Sequence, residues 1–281
     1  MYLKHTIPGE REIIGLTSLE DKLYVLRDKE WDIDVYSTTN YGSLPRLPVP
    51  ELSDPTDMAS CKCNKCLYIS ESSKKCIHKV QLNASTTKWS LNGEPSTLSV
   101  TCTGNVLVAY RKQVAGWFAW SRPCINYYIL ELNGDNGDRV RKIPMQQADI
   151  SKLVLQHSVQ LTTDQFVTCH TNSSDTHRVC IVVVDGKETK VTRSYGSEVA
   201  QLGNPCHLAV DTDSQFIFVT DKCNHRVVAL STALDCVCHI TEQQQGEPQR
   251  LHLDPETQRL YIGLSDGRVT VKQLCLVRCF Y

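Results

Sequence analysis

Short apolar runs, some continuous and some alternating with polar residues, recur along this chain in sets divided by turn residues. The most regular set lies between Asn204 and Leu230. Its first strand, Pro205-Cys206-His207-Leu208-Ala209-Val210-Asp211, opens at a proline and closes at an aspartate. Its second, Phe216 to Asp221, is β-branched and aromatic, and its third, Val227 to Leu230, follows a tight Asn224-His225 turn.

The second strand repeats at 22–27, 66–71, 105–110, 165–170, 216–221 and 259–264. A third strand follows each copy, at 32–36, 77–82, 127–132, 179–184, 227–230 and 268–274. A first strand precedes each, at 14–17, 55–60, 95–100, 158–161, 205–210 and 248–253. Weaker fourth strands are expected at 87–91, 139–143, 190–194 and 237–240, since an outer edge strand tolerates irregular patterning. The copies recur at about 40 to 60 residues, near the period of propeller blades. The pattern therefore predicts an all-β fold: one six-bladed β-propeller domain over residues 1–281, with four-stranded antiparallel blades. The termini should close the ring. Leu3 to Ile7 is one candidate for the missing outer strand, and the tail Cys275 to Tyr281 is the other. Asp211, Asp254-Pro255 and the run Asn133 to Asp138 read as turns.

Charge and composition remove some function classes. A net charge of -1 gives no bulk attraction to nucleic acid or anionic membranes. No apolar run approaches the roughly 20 residues that span a bilayer, and Met1 to Glu10 lacks the apolar core of a signal peptide. The 14 cysteines would suit a disulfide framework, but Cys102, Cys169, Cys180 and Cys206 fall in or beside apolar strand runs. Reduced thiols in a cytoplasmic protein are the expectation.

Pro205, His207, Asp211, Asp221, Asn224, His225 and Arg226 together resemble the NHL repeat, although Arg226 stands where the repeat's name has leucine. The likeness is sharp over 204–231, recognisable at 54–82, 94–109 and 248–272, and faint at 10–36 and 155–184. It implies a six-bladed propeller. It also implies kinship with the terminal domains of the tripartite-motif (TRIM) family, whose propellers select targets for ubiquitin ligases or bind RNA. The chain carries no RING, B-box or coiled-coil pattern.

Four groups of side chains are candidate sites. Trp117, Phe118 and Trp120, flanked by Arg111 and Lys112, form an apolar insert where a polar turn belongs, and suit recognition of a protein partner. Lys74, Lys75, Lys222 and Arg226 fall between second and third strands and would share one face, the alternative being RNA. Further basic residues lie at Arg139, Arg141 and Lys142. Cys61, Cys63 and Cys66, with Cys76 and His78 beyond, have soft donors but non-standard zinc spacing, so no metal or other cofactor is expected. His207 and His252 occupy near-equivalent positions in two first strands and should line the channel. With Thr17, Ser60, Ser99 and Gln160 they offer few carboxylates for a calcium-dependent hydrolase or lyase. The reading is a non-enzymatic, monomeric module that binds a protein. RNA binding is the alternative and propeller enzymology a more distant one.

Overall fold

Among the described residues, twenty-four strands form six four-stranded antiparallel sheets arranged as propeller blades. The computed structural model describes residues 1–83, 85–114, 124–145, 150, 153–172, 177–186, 188–196, 201–241 and 246–274. The first strand, β1 (Tyr2–Ile7), stands apart from the blade that follows it. Blade 1 holds β2 (Ile13–Leu19), β3 (Lys22–Arg27), β4 (Asp32–Ser37) and β5 (Ser43–Pro48). Blade 2 holds β6 (Pro55–Cys61), β7 (Cys66–Glu71), β8 (Cys76–Gln81) and β9 (Thr86–Ser90). Blade 3 holds β10 (Glu94–Val100), β11 (Val106–Val114), β12 (Cys124–Leu132) and β13 (Arg139–Pro144). Blade 4 holds β14 (Val154–Thr162), β15 (Gln165–Thr171), β16 (Arg178–Asp185) and β17 (Glu188–Tyr195). Blade 5 holds β18 (Pro205–Asp211), β19 (Phe216–Asp221), β20 (Arg226–Ser231) and β21 (Cys236–Thr241). Blade 6 combines β22 (Pro248–Asp254), β23 (Arg259–Leu264) and β24 (Val269–Gln273) with β1. Among the described residues no helix is long and apolar enough to cross a membrane.

The second strands are apolar without a break because both their faces are buried. In β7, Leu67 and Ile69 pack toward blade 1 against Leu26, Ile33 and Val49, while Tyr68 packs toward blade 3 against Leu98 and Val108. The core is therefore six slabs between neighbouring blades, and no single blade buries its own apolar surface. The outermost strand of blade 1, β5, was not legible in the sequence. Its Pro45 and Pro48 break the strand pattern, yet proline is tolerated on an edge that needs no outer ladder.

Each first strand carries a register irregularity near its start: at Ile13/Gly15, Pro55/Asp57, Pro95/Leu98, Leu155/His157, Pro205/Leu208 and Pro248/Arg250. A bulge inserts one residue and re-aims the side chain beside it. Six-fold repetition of this bulge brings Gly15, Asp57, Thr97, His157, His207 and Arg250 to the equivalent place in successive blades.

The ring is closed by the N-terminal strand, the first of the two candidates. β1 pairs antiparallel with β24 from Tyr2↔Gln273 to Ile7↔Val269. The tail 275–281 lies outside the described residues. Most of β1 is exposed, and only Ile7, 1% exposed, is driven into the core beside Val269 and Val271. Ile7→Ala should therefore cost about 2–5 kcal/mol in urea unfolding. Leu3→Ala, at an exposed site, should stay within about 0.5 kcal/mol. Equal costs would show that side-chain burial is not what seats the closing strand.

Candidate functional site

The inner edge of each first strand faces the channel with no neighbouring strand to pair its backbone groups. Side chains from adjacent blades take that role. Leu98 N–H donates to Asp57 Oδ2 (2.7 Å), Leu208 N–H to His157 Nδ1 (3.3 Å) and Leu251 N–H to His207 Nδ1 (3.4 Å). Ser99 Oγ donates to the Ser158 carbonyl (2.7 Å), Thr97 Oγ1 to the Gln156 carbonyl and Ser60 Oγ to the Ser18 carbonyl (2.8 Å). Arg250 reaches furthest. Its Nε donates to the Ile14 carbonyl of blade 1 (2.7 Å) and its NH2 group to the Thr56 carbonyl of blade 2 (3.0 Å). Glycine at position 15 leaves room for Met58 of blade 2, since a Cβ would lie 2.7 Å from Met58 Cβ.

This stitching sets the charge states. Arg250 Nε lies 3.2 Å from Asp57 Oδ1, and His207 Nε2 lies 3.7 Å from Asp57 Oδ2. Burial by itself would raise the Asp57 carboxyl, but Arg250 and then His207 outweigh it and hold the group below the usual range. The histidines go the other way. His157 and His207 stack at 3.9 Å, and burial lowers both, with each other's charge adding to the effect at His157. Since Nδ1 of His157 accepts from Leu208, its proton sits on Nε2 and donates to the Leu98 carbonyl (3.0 Å). His252 bonds Ser18 Oγ through Nε2 (2.8 Å), and burial pulls it down to about 4. The remaining channel space is about 200 Å³, lined mainly by aliphatic and hydroxyl side chains such as Leu16, Val159 and Ser60.

The sequence reading of the channel needs three corrections. His207 and His252 are not equivalent: His207 matches Arg250, and His252 matches Ala209, two residues further along. The channel does hold a carboxylate, Asp57, which the sequence reading missed together with His157 and Arg250. The first strand of blade 4 begins at Val154 rather than Ser158, which is why His157 escaped notice. The signal for Asp57 and Arg250 is the residue two places after the blade-opening proline, where His207 also stands; blade 4 has no such proline ahead of His157.

The Asn224-His225 turn in blade 5 is fixed by Asp221. Asp221, fully buried, accepts from Gly203 N–H (2.5 Å), Asn224 Nδ2 (2.9 Å) and Arg226 Nε (2.6 Å). His225 takes the left-handed conformation at φ 51, as Lys75 does at φ 52 in blade 2. Asp211 caps the preceding turn by accepting from the amides of Asp213 and Ser214 (both 3.2 Å).

Antiparallel alternation puts all turns between second and third strands on one face of the disc, so Lys74, Lys75, Lys222, Arg226, Arg111 and Lys112 do share it. They do not form an open cationic field. Lys74 faces Glu71 (3.2 Å), Lys222 faces Glu247 (3.5 Å), Arg226 faces Asp221 (2.6 Å) and Arg111 faces Glu94 (2.5 Å). Arg141, towards the opposite face, is held by Glu131 (2.5 Å) and Asp164 (3.3 Å), and Lys142 lies over the Tyr128 ring. Cys61 and Cys66 sit opposite each other at one end of blade 2, with exposed Cys63 in the turn between them. Cys76 pairs with Glu71 at the other end, so the four thiols do not converge.

What distinguishes the shared face is blade 3. Strands β11 and β12 pair continuously from Val106↔Leu132 to Val114↔Cys124. Exposure begins at Arg111, just past buried Tyr110. Residues 111–114 extend beyond the position at which β7 and β19 end, raising this hairpin by about 13 Å at about 3.3 Å per residue. Trp117, Phe118 and Trp120 belong to the segment that joins its strands and lie outside the described residues.

No family model and no curated protein sequence matches this chain. Solved structures do match over its length. Hydrazine synthase of Kuenenia stuttgartiensis aligns with a TM-score of 0.64 at 13% identity, covering 97% of this chain and 98% of that one. The Cps50 (Swd1) β-propeller domain of Myceliophteria thermophila aligns with a TM-score of 0.63 at 11% identity, covering 97% and 100%. At these identities the likeness establishes a shared β-propeller fold.

Two tests follow from the channel. Arg250→Ala strands the Asp57 carboxylate in the interior and should cost about 3–5 kcal/mol, whereas Arg250→Met combined with Asp57→Asn should recover much of it. No recovery in the double variant would break the pairing argument. The buried neutral histidines also predict acid sensitivity. His252 at about 4 and His170, which burial pulls down to about 3, bind protons in the unfolded chain from about pH 6.5 but not in the folded one. Stability should be full above about pH 6.5 and fall as pH drops toward 4, by up to about 1.4 kcal/mol per pH unit for each such group. Urea melts from pH 7.5 to 5 should show this slope, and His252→Gln should flatten it. A pH-independent midpoint would refute it.

Proposed function

We infer that the protein is a non-enzymatic binding module that recognises a protein partner through the face carrying the β11–β12 hairpin. The observation that carries this reading is the projection of that hairpin, with exposed Arg111 and half-exposed Lys112 at its base and an apolar, tryptophan-rich sequence at its tip. Rigid paired strands supporting such a tip cost less ordering entropy on binding than a free loop does. Trp, Phe and Arg are also the residue types that dominate binding hot spots.

The channel supports the same reading from the other side. General acid–base work needs a group whose proton is free to move near neutral pH. Here His157 has both ring nitrogens engaged with backbone, and Asp57 is held by Arg250. The RNA reading lacks support in the cations, because most of those on the hairpin face already have carboxylate partners. The NHL-like turn chemistry of blade 5 favours a TRIM-NHL type of propeller, with selection of a ubiquitin-ligase target in the cytoplasm as the finer proposal.

Replacing residues 115–123 with an Asn-Gly turn should leave the melting temperature within a few degrees of wild type. It should abolish the proteins captured by proximity labelling with the full chain. Trp117→Ala with Trp120→Ala should lower capture at least tenfold. Undiminished capture by both variants would move the binding site elsewhere. Salt-sensitive retention of single-stranded RNA on filters would favour the alternative.

A further inference from the structure

Glu71, Cys76 and His78 form a second group of chemically capable side chains, unrelated to the channel. They come from one hairpin of blade 2. Glu71 closes β7 directly opposite Cys76, and His78 lies two residues along β8 on the same side. All three are fully buried. They face the slab between blades 1 and 2, beneath the 49–54 connection, whose Leu52 is part of that core.

We propose that Glu71 Oε2, Cys76 Sγ and His78 Nε2 form a binding site for a zinc-class divalent ion. The donor set of one carboxylate, one thiolate and one imidazole suits zinc. So does the spacing. Glu71 Oε2 lies 2.9 Å from His78 Nε2, Cys76 Sγ lies 3.5 Å from His78 Nε2, and Cys76 Sγ lies 3.8 Å from Glu71 Oε2. Tetrahedral zinc with bonds of about 2.0–2.3 Å has ligand edges of about 3.3–3.6 Å, so only small side-chain movements separate the present arrangement from coordination. Three protein ligands leave a fourth position to water.

The outer shell is already built. Glu71 Oε1 points away from the trio and accepts from Ser53 Oγ (2.5 Å), Ser53 N–H (3.2 Å) and Asp54 N–H (3.0 Å), with Lys74 Nζ at 3.2 Å. These bonds fix the carboxylate so that Oε2 alone is presented to Cys76 and His78, which is how ligating carboxylates are usually held. Nδ1 of His78 is buried with no partner among the described residues. With the ion on Nε2, that nitrogen carries the imidazole proton and needs a water to receive it. Cys76 binds as thiolate and releases its proton to solvent. The channel trio Asp57, His157 and His207 brings its donor atoms comparably close, yet it does not fit an ion. Both nitrogens of His157 are engaged, and the Arg250 guanidinium already occupies the carboxylate's other side.

Binding here would tie the 49–54 connection to blade 2, on the same face of the disc as the β11–β12 hairpin. Chelator-stripped full-length protein titrated with zinc should take up one tight equivalent and melt at a higher temperature. Cobalt in its place should give the thiolate charge-transfer band and visible spectrum of a tetrahedral site with one sulfur. Cys76→Ser and His78→Gln should each weaken this equivalent at least 100-fold. Ser53→Ala, which loosens Glu71, should weaken it about 10–100-fold. Cys63→Ser, at an exposed thiol, should leave it unchanged. The proposal is overturned if wild type shows no zinc-dependent stabilisation or no cobalt–thiolate band. It is equally overturned if the tight equivalent survives Cys76→Ser or disappears with Cys63→Ser. The wild-type cobalt spectrum decides the matter even if a ligand variant does not fold.

Discussion

Six strand edges that face a narrow channel without strand partners are the constraint on which this molecule depends. Each exposes amide and carbonyl groups that no neighbouring strand satisfies, and burying such groups unpaired is costly. The chain answers with a bulge in every first strand and a polar side chain beside most of them. Asp57, Thr97, His157, His207 and Arg250 each bond the backbone of another blade. Gly15 contributes by having no side chain, since a Cβ there would meet Met58, and Arg250 bridges blades 1 and 2 through the Ile14 and Thr56 carbonyls. The aliphatic slabs between blades drive association, but it is the polar ring that fixes how blades meet at the centre.

That solution commits the channel's polar groups to the fold. Its acid is ionised and held by an arginine, and burial keeps its imidazoles neutral. The polar groups there act as backbone partners across blades. On one face of the disc, a raised hairpin and a buried Glu-Cys-His group occupy neighbouring blades 3 and 2. Their positions reflect local departures from the repeat: two lengthened strands in one case, and Cys76 at the place where blade 5 has Arg226 in the other.

The architecture was legible because burial on both faces forces long apolar second strands, and turn chemistry punctuates them at a near-constant period. Blade 5 gave the clearest reading, since Asp221, Asn224 and Arg226 perform the turn-fixing their identities suggest. Edge strands were less legible, and β5 escaped because its prolines and exposed residues satisfy only one neighbour. The channel cluster was hidden for a different reason. Its members share a position but not a residue type, so residue identity pairs His252 with His207, whereas the ladder register makes Arg250 the counterpart of His207. Glu71, Cys76 and His78 lie close in sequence, but the sequence alone groups Cys76 and His78 with Cys61, Cys63 and Cys66. Only the hairpin register shows that Cys76 sits at the opposite end of the blade.

Closure by β1 has a consequence for biosynthesis. Within the propeller, the first strand to be synthesised is the last to find its partner, since β24 ends only at Gln273. Blades 1 to 5 are built from consecutive strands and can assemble in order as they emerge. The ring cannot lock until all six blades have been made, and a chain interrupted before blade 6 keeps β1 unpaired. Prematurely terminated products would thus carry an open β-edge, a surface prone to pairing with other chains, and quality control would meet them as sticky intermediates.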